Sequence, residues 1–188
     1  MALLAIGELD SPKVHDLNRW WHGQRRAGDL PDRDDFDPAQ WKAYLPFLLI
    51  SDCSRDPFRI RYRLVGTAVV YVVGFDFTWR HLDAMLGGIP GEDWMANYRR
   101  AFDHRQPVYG TAMVSTLGGD PFRYDFGIFP LSHFAAGKDG SGQVPEVRQF
   151  LAIEDYGAFQ PRVQSTLLDL TIRSHRRAAP APARESAC

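Results

Sequence analysis

The stretch FRIRYRLVGTAVVYVVGFDFTWRHLDAM, Phe58 to Met85, constrains the fold more than any other part of the chain. From Arg59 to Val65 it alternates strictly, with Ile60, Tyr62 and Leu64 set against Arg59, Arg61 and Arg63. A period of two marks a strand with one buried and one wet face. Gly66 ends that strand, and Thr67 is expected to cap a short apolar helix, Ala68 to Val73, by accepting from its first free amide groups. Gly74 closes the helix, because glycine accepts a left-handed backbone. A second short helical turn over Phe75 to Leu86 would bring Trp79, Leu82 and Met85 forward together. A strand followed by short helices that fold back over it makes a lid on a sheet. Such a lid can enclose a pocket.

The rest of the chain supplies the other layers. Asp10-Ser11-Pro12 starts a helix that would run to about Ala27, with Val14, Leu17, Trp20 and Trp21 on its apolar side. Asp37-Pro38 opens a short helix that gathers Trp41, Tyr44 and Leu45, and Phe47 to Ser51 reads as a strand. Ser54-Arg55-Asp56-Pro57 is turn chemistry, so this strand forms a hairpin with Arg59–Val65. Asp93 to His104 is an amphipathic helix carrying Trp94, Tyr98, Ala101 and Phe102. Three strands follow: Val108 to Leu117, Phe122 to Leu131 after a turn at Gly118-Gly119-Asp120-Pro121, and Val147 to Glu154 after the Gly-rich Ala136 to Val144. A last helical stretch, about Pro161 to Arg177, precedes an Ala/Pro-rich ending. The fold class is α+β: a five-stranded antiparallel sheet covered on one face by short helices, with helices flanking it at both ends.

The length suits one domain, divided as an N-terminal flanking helix over 1–28, a core over 29–156, a C-terminal helix over 157–177 and a disordered tail over 178–188. A hydrophobic content of 45% supports a core without disulfides or metal, and the two cysteines, Cys53 and Cys188, make no disulfide framework. A net charge of -1 points away from nucleic acid, and no apolar run approaches the ~20 residues that cross a bilayer. The MALLAIGELD start lacks a basic region and a long apolar core, so a secretory signal is not expected and a cytoplasmic setting is.

The order of two strands, short helices, one longer helix and three strands is the order of the PAS fold. RYRLVGTAVVYVVGFDFTWRHLDAM resembles a segment of short, mostly stand-alone bacterial PAS-like proteins, which read approximately RYRLVGT, a short helix, then GxDxTGRxL. LPDRDDFDPAQWKAYLPFLLISD is similar to that family's lead-in, as are Pro107-Val108-Tyr109 and Phe129–Ser132 (FPLS). The resemblance covers about residues 15 to 155. The sequence departs from the pattern at Trp79, where the family has glycine, and this adds a bulky ring near the expected pocket mouth. The resemblance implies a sensor or ligand-binding module and names no ligand.

Six histidines, His15, His22, His81, His104, His133 and His175, form no metal-binding spacing beyond a heptad between His15 and His22, so no metal site is expected. Some PAS domains hold haem through a helical histidine, a role that His104 or His81 could fill. Flavin-type light sensors of this fold need a cysteine in a polar motif on a lid helix. Cys53 follows the first strand, so flavin chemistry is not expected. Arg59, Arg61 and Arg63 read as a solvated strand face or as a patch for phosphate or an acidic partner.

The ring-rich lining instead suits a planar or apolar small molecule, with Tyr62, Trp79, Leu82, Tyr98, Phe102 and Phe126 expected to converge on it. The chain therefore reads as a sensory or protein-interaction module that is not an enzyme, passing its output to a separate signalling protein or through self-association. A homodimer through the flanking helices is expected because adjacent Trp20 and Trp21 lie ~100° apart and cannot share one small patch, unless the 161–177 helix of the same chain covers the remaining ring. The alternative is an enzyme of the ketosteroid-isomerase type acting on a buried apolar ligand, which would place a burial-shifted acid beside a Tyr or His in the cavity. The sensor reading expects no such pair.

Overall fold

The computed structural model describes residues 1–25, 30–85, 92–114, 121–132 and 146–157. The strands are β1 (Ala2–Leu3), β2 (Leu48–Arg55), β3 (Phe58–Val65), β4 (Val108–Val114), β5 (Phe122–Leu131) and β6 (Gln149–Asp155). The helices are α1 (Pro12–Gln24), α2 (Thr67–Val73), α3 (Leu82–Met85) and α4 (Glu92–His104). All strand pairs are antiparallel and run in the order β1-β4-β5-β6-β2-β3. The sheet thus has six strands where five were expected. The extra one is two residues long, too short to show a period of two, and it pairs Ala2 with Thr111 and Leu3 with Gly110.

Alternation along the strands sorts side chains onto two differently covered faces. On one face lies α1, started by Ser11, whose hydroxyl accepts from the Val14 amide at 3.1 Å. Val14, Leu17 and Trp21 of α1 are fully buried, and the Trp21 indole donates to the Pro130 carbonyl at 2.8 Å. Close approach here depends on Gly127, where a Cβ would stand 2.8 Å from the Phe129 ring and 3.2 Å from Val14. The other face carries α2, α3 and α4.

The two neighbouring tryptophans both find partners in their own chain. Trp20 packs edge-on against Phe36 at 5.2 Å and Trp41 at 6.4 Å. The short 3₁₀ turn Pro38–Trp41, capped by the Asp37 carboxylate on the Ala39 amide, holds Trp41 there. Trp20 thus has ring partners without a second copy of the protein.

Three local readings change. Gly66, not Thr67, is the residue before α2, and it makes no side-chain cap. Its glycine serves close approach instead, since a Cβ would lie 2.2 Å from the Pro46 carbonyl oxygen. In the β2–β3 hairpin the register shifts between Ile50 and Ser51, whose partners are Leu64 and Tyr62. This bulge turns the strand locally, and Leu64 ends 38% exposed although its parity matches Ile60 and Tyr62. Among the described residues of the Phe75–Leu86 stretch, helix covers Leu82–Met85, and Trp79 adopts a left-handed backbone with φ 70°. The Trp79 and Arg80 backbones pair with Tyr62 instead, at 2.8 and 3.0 Å. The expected turn at Gly118–Asp120, the Ala136–Val144 loop, the helix from Pro161 and the 178–188 tail lie outside the described residues.

Candidate functional site

Between the sheet and α2–α4 lies a cavity of about 630 Å³. Its size falls within the ~300–1,000 Å³ range of small-molecule sites. The floor comes from alternate residues of the strands: Tyr62 on β3, Tyr124, Phe126 and Ile128 on β5, and Ala152 and Glu154 on β6. The roof comes from Val72 of α2, Phe75 and Phe77 after it, Leu82 of α3, and Trp94 and Tyr98 of α4. Ala112 and Ala152 are the small floor residues, and they leave the space that larger side chains would fill.

The rings interlock around this space. Trp94 meets Phe126 edge-on at 4.8 Å, Tyr62 meets Phe77 at 4.8 Å, and Tyr98 meets Phe150 at 5.1 Å. Tyr62 and Tyr98 share a hydrogen bond, and burial is the main cause that pushes both phenols upward, Tyr98 to about 12. Burial does the same to Tyr124 and Tyr156. All four hydroxyls stay protonated at neutral pH.

Glu154 is the one acidic side chain on the described lining, and no Lys, Arg or His side chain joins it there. It is half-buried, and the Tyr156 hydroxyl donates to its Oε2 at 2.5 Å. Burial pushes its carboxyl up to about 7, with the Tyr156 hydrogen bond working in the opposite direction. This overturns the expectation that the cavity holds no burial-shifted acid with a Tyr or His partner. The parity of β6 could have revealed it: Phe150, Ala152 and Glu154 share a face, so a carboxylate at the third position points inward.

Of the six residues expected to converge, Tyr62, Leu82, Tyr98 and Phe126 line the cavity. Trp79 does not: it is 56% exposed, with Arg61 and Arg63 over its ring at 5.3 and 5.2 Å. The left-handed backbone at Trp79 carries the ring to the arginine face of β3. Phe102 packs edge-on against Phe58 at 5.3 Å, away from the lining. Helical spacing misplaced those two rings, the six expected contacts left out Trp94 and Tyr124, and Glu154 was missed.

Neither His81 nor His104, the residues considered for haem, lines the cavity. His15 Nε2 meets the Leu9 carbonyl at 2.9 Å. Cys53 sits beside the Val147 carbonyl at 3.3 Å, outside the cavity, and burial pushes its thiol up to about 12. The arginine face is partly neutralised, with Arg63 on Asp52 at 2.6 Å and Arg59 on Asp83 at 3.2 Å.

A protein-family model described as PAS domain matches residues 9–135. The chain belongs to the PAS domain family, whose members are generally sensory or signal-transduction modules. Among solved structures, it is similar to a light-oxygen-voltage domain studied with a flavin analogue, at 14% identity over 75% of this chain and 93% of that one, with a TM-score of 0.43. It is also similar to a LOV protein of Rhodobacter sphaeroides, at 13% identity over 76% of this chain and 91% of that one, with a TM-score of 0.41. For a blue-light activated histidine kinase of Erythrobacter litoralis the values are 19% identity, 73% and 42% coverage, and a TM-score of 0.40. Comparison with curated proteins gave no match. No helix among the described residues is long and apolar enough to cross a membrane.

Proposed function

We propose that this PAS domain is a non-enzymatic, cytoplasmic small-molecule sensor whose ligand occupies the hollow between the sheet and α2–α4. One observation carries the reading: a cavity of about 630 Å³, walled by rings and aliphatic groups, with a single carboxyl on its described lining. Tyr62, Leu82, Tyr98 and Phe126 are the ligand contacts that the reading retains, joined by Trp94, Tyr124 and Glu154. Occupancy would stiffen the lid elements over the sheet, and the output would pass to a separate signalling protein or through self-association.

The isomerase-like alternative loses its fold, since the chain belongs to the PAS domain family. It keeps one observation, the Glu154–Tyr156 pair in the cavity. An acid–base site of that kind sets a base and a separate hydrogen-bond donor against one substrate. Here the donor is spent on the carboxyl itself, which fits binding better than proton abstraction.

The test combines mass spectrometry of the purified protein with titration of an apolar probe, naphthalene, followed by tryptophan fluorescence. Saturable binding is expected, weakened at least about tenfold in Ala152→Leu, where the added methylenes occupy the floor. Absence of both a retained molecule and saturable probe binding overturns the reading.

A further inference from the structure

We propose that the molecule held in this cavity carries a protonated amine, seated on the Glu154 carboxylate against the aromatic wall of Tyr124, Phe126 and Trp94. The inference rests on the reading of the cavity as a ligand site, and it adds the chemical class of what enters.

The wall is asymmetric in charge. Its described side chains hold one carboxyl and no basic group, so an anionic ligand would bring a second negative charge with no basic side chain to offset the first. The carboxyl is also under-used. A carboxylate offers two oxygens and about four lone-pair sites. Among the described residues Glu154 receives one hydrogen bond, from Tyr156 to Oε2. A ligand ammonium would supply the missing donors and the missing counter-charge together.

The neighbouring rings favour the same partner. Phe126 stands directly opposite Glu154 across the β5–β6 ladder, and Trp94 lies edge-on to Phe126 at 4.8 Å. The Tyr124 and Tyr156 rings sit 5.2 Å apart, two residues along from Phe126 and Glu154 respectively. Electron-rich ring faces attract cations, most strongly where water is excluded. A carboxylate lying among aromatic side chains favours a cation over an alcohol of the same shape, and a flat apolar body fills the remaining space.

The groups facing Glu154 define how this should respond to pH. Tyr124 from β5, Tyr62 from β3, Tyr156 just past β6 and Tyr98 from α4 are phenols held protonated by burial. The α-amino group belongs to Met1, which also lines the cavity, and makes no ion pair with Glu154. Glu154 is then the group whose ionisation between about pH 5.5 and 8 should govern cation binding.

The experiment titrates the whole protein with naphthylmethylamine, naphthylmethanol, naphthoate and naphthalene by calorimetry. The amine should bind at least about tenfold more tightly than the alcohol at about pH 8, with naphthoate weakest. Amine affinity should rise about tenfold from about pH 5.5 to 8 while alcohol affinity stays flat. Glu154→Gln should level the amine with the alcohol and flatten the pH profile. If the amine and the alcohol bind equally to the unmodified protein, the cation proposal falls and the cavity reading stands. An amine preference that survives Glu154→Gln also overturns it. If no member of the series binds, naphthalene included, both readings fall together. Should the variant not fold, the amine-to-alcohol ratio and its pH profile in the unmodified protein decide.

Discussion

Glu154 and Asp155 are neighbours on β6, and alternation sends them to opposite faces of the sheet. On the α1 side, Asp155 is 5% exposed and fully engaged. The Ser11 hydroxyl and the Lys13 ammonium each reach it at 2.6 Å, and the Gly157 amide at 3.2 Å. Ser11 also caps α1, so one carboxylate ties the start of the helix to the end of the strand. On the cavity side, Tyr156 is the one hydrogen-bond partner of Glu154 among the described residues. A satisfied buried acid closes packing, whereas an under-satisfied one beside empty space is available to whatever enters. The same chain direction and the same chemistry thus make a solid face and a receptive one.

The comparison is most easily broken at its solid half. Asp155→Ala strands the Ser11 hydroxyl and the Lys13 ammonium and releases the first turn of α1. The expected loss is roughly 3 kcal/mol, as for removing one partner of a largely buried pair. Urea denaturation at neutral pH measures it. A loss below about 1 kcal/mol would mean that α1 is held by its apolar face alone.

Glu154→Gln tests the receptive half and should have the opposite sign. The folded state raises this carboxyl from 4.5 to about 7, so it binds the proton more tightly than the unfolded chain does. Stability contributed by the neutral form is full below the unfolded value and is lost as pH climbs through about 7. Gln carries no charge to bury. The variant should match the parent near pH 4.5 and exceed it at about pH 8 by up to about 3 kcal/mol. Denaturation at the two pH values checks this, and a variant less stable at the higher pH would show that the carboxylate has partners that Tyr156 does not represent.

The solid face was largely legible because its signals are local. Ser11-Pro12 announces the α1 start, and Val14, Leu17 and Trp21 repeat at helical spacing. The β5 limits, Phe122 to Leu131, follow directly from alternation between turn residues. The receptive face was legible only in part. Tyr62 and Phe126 follow from strand parity, but Trp79 and Phe102 were placed by helical spacing where other forces rule. At Trp79 the backbone leaves the helix to pair with the β3 edge, and no periodicity encodes that. The β2–β3 bulge that turns Leu64 outward is similarly silent in the sequence. Whether Trp20 needs a second copy depended on Phe36 and Trp41 folding back, a non-local contact.

Trp79 offers the smallest effect and the sharpest check on which side it serves. Its φ of 70° is a conformation that costs a non-glycine residue about 1 kcal/mol. Two exposed arginine contacts, from Arg61 and Arg63, return roughly 0.5–1 kcal/mol each. Trp79→Gly would relieve the backbone and forfeit both contacts. It would also give the unfolded chain about 0.5–1 kcal/mol more conformational freedom. The losses outweigh the relief by about 0.5–2 kcal/mol, so thermal denaturation should show a destabilisation of no more than about 2 kcal/mol equivalent. Arg63 would keep Asp52, while Arg61 would lose the ring it now covers. Because Trp79 stands outside the cavity, naphthalene affinity should stay within about twofold. A clear loss of probe binding in this variant, with stability lowered no further than this, would return Trp79 to the cavity mouth and shift the boundary between the two faces drawn above.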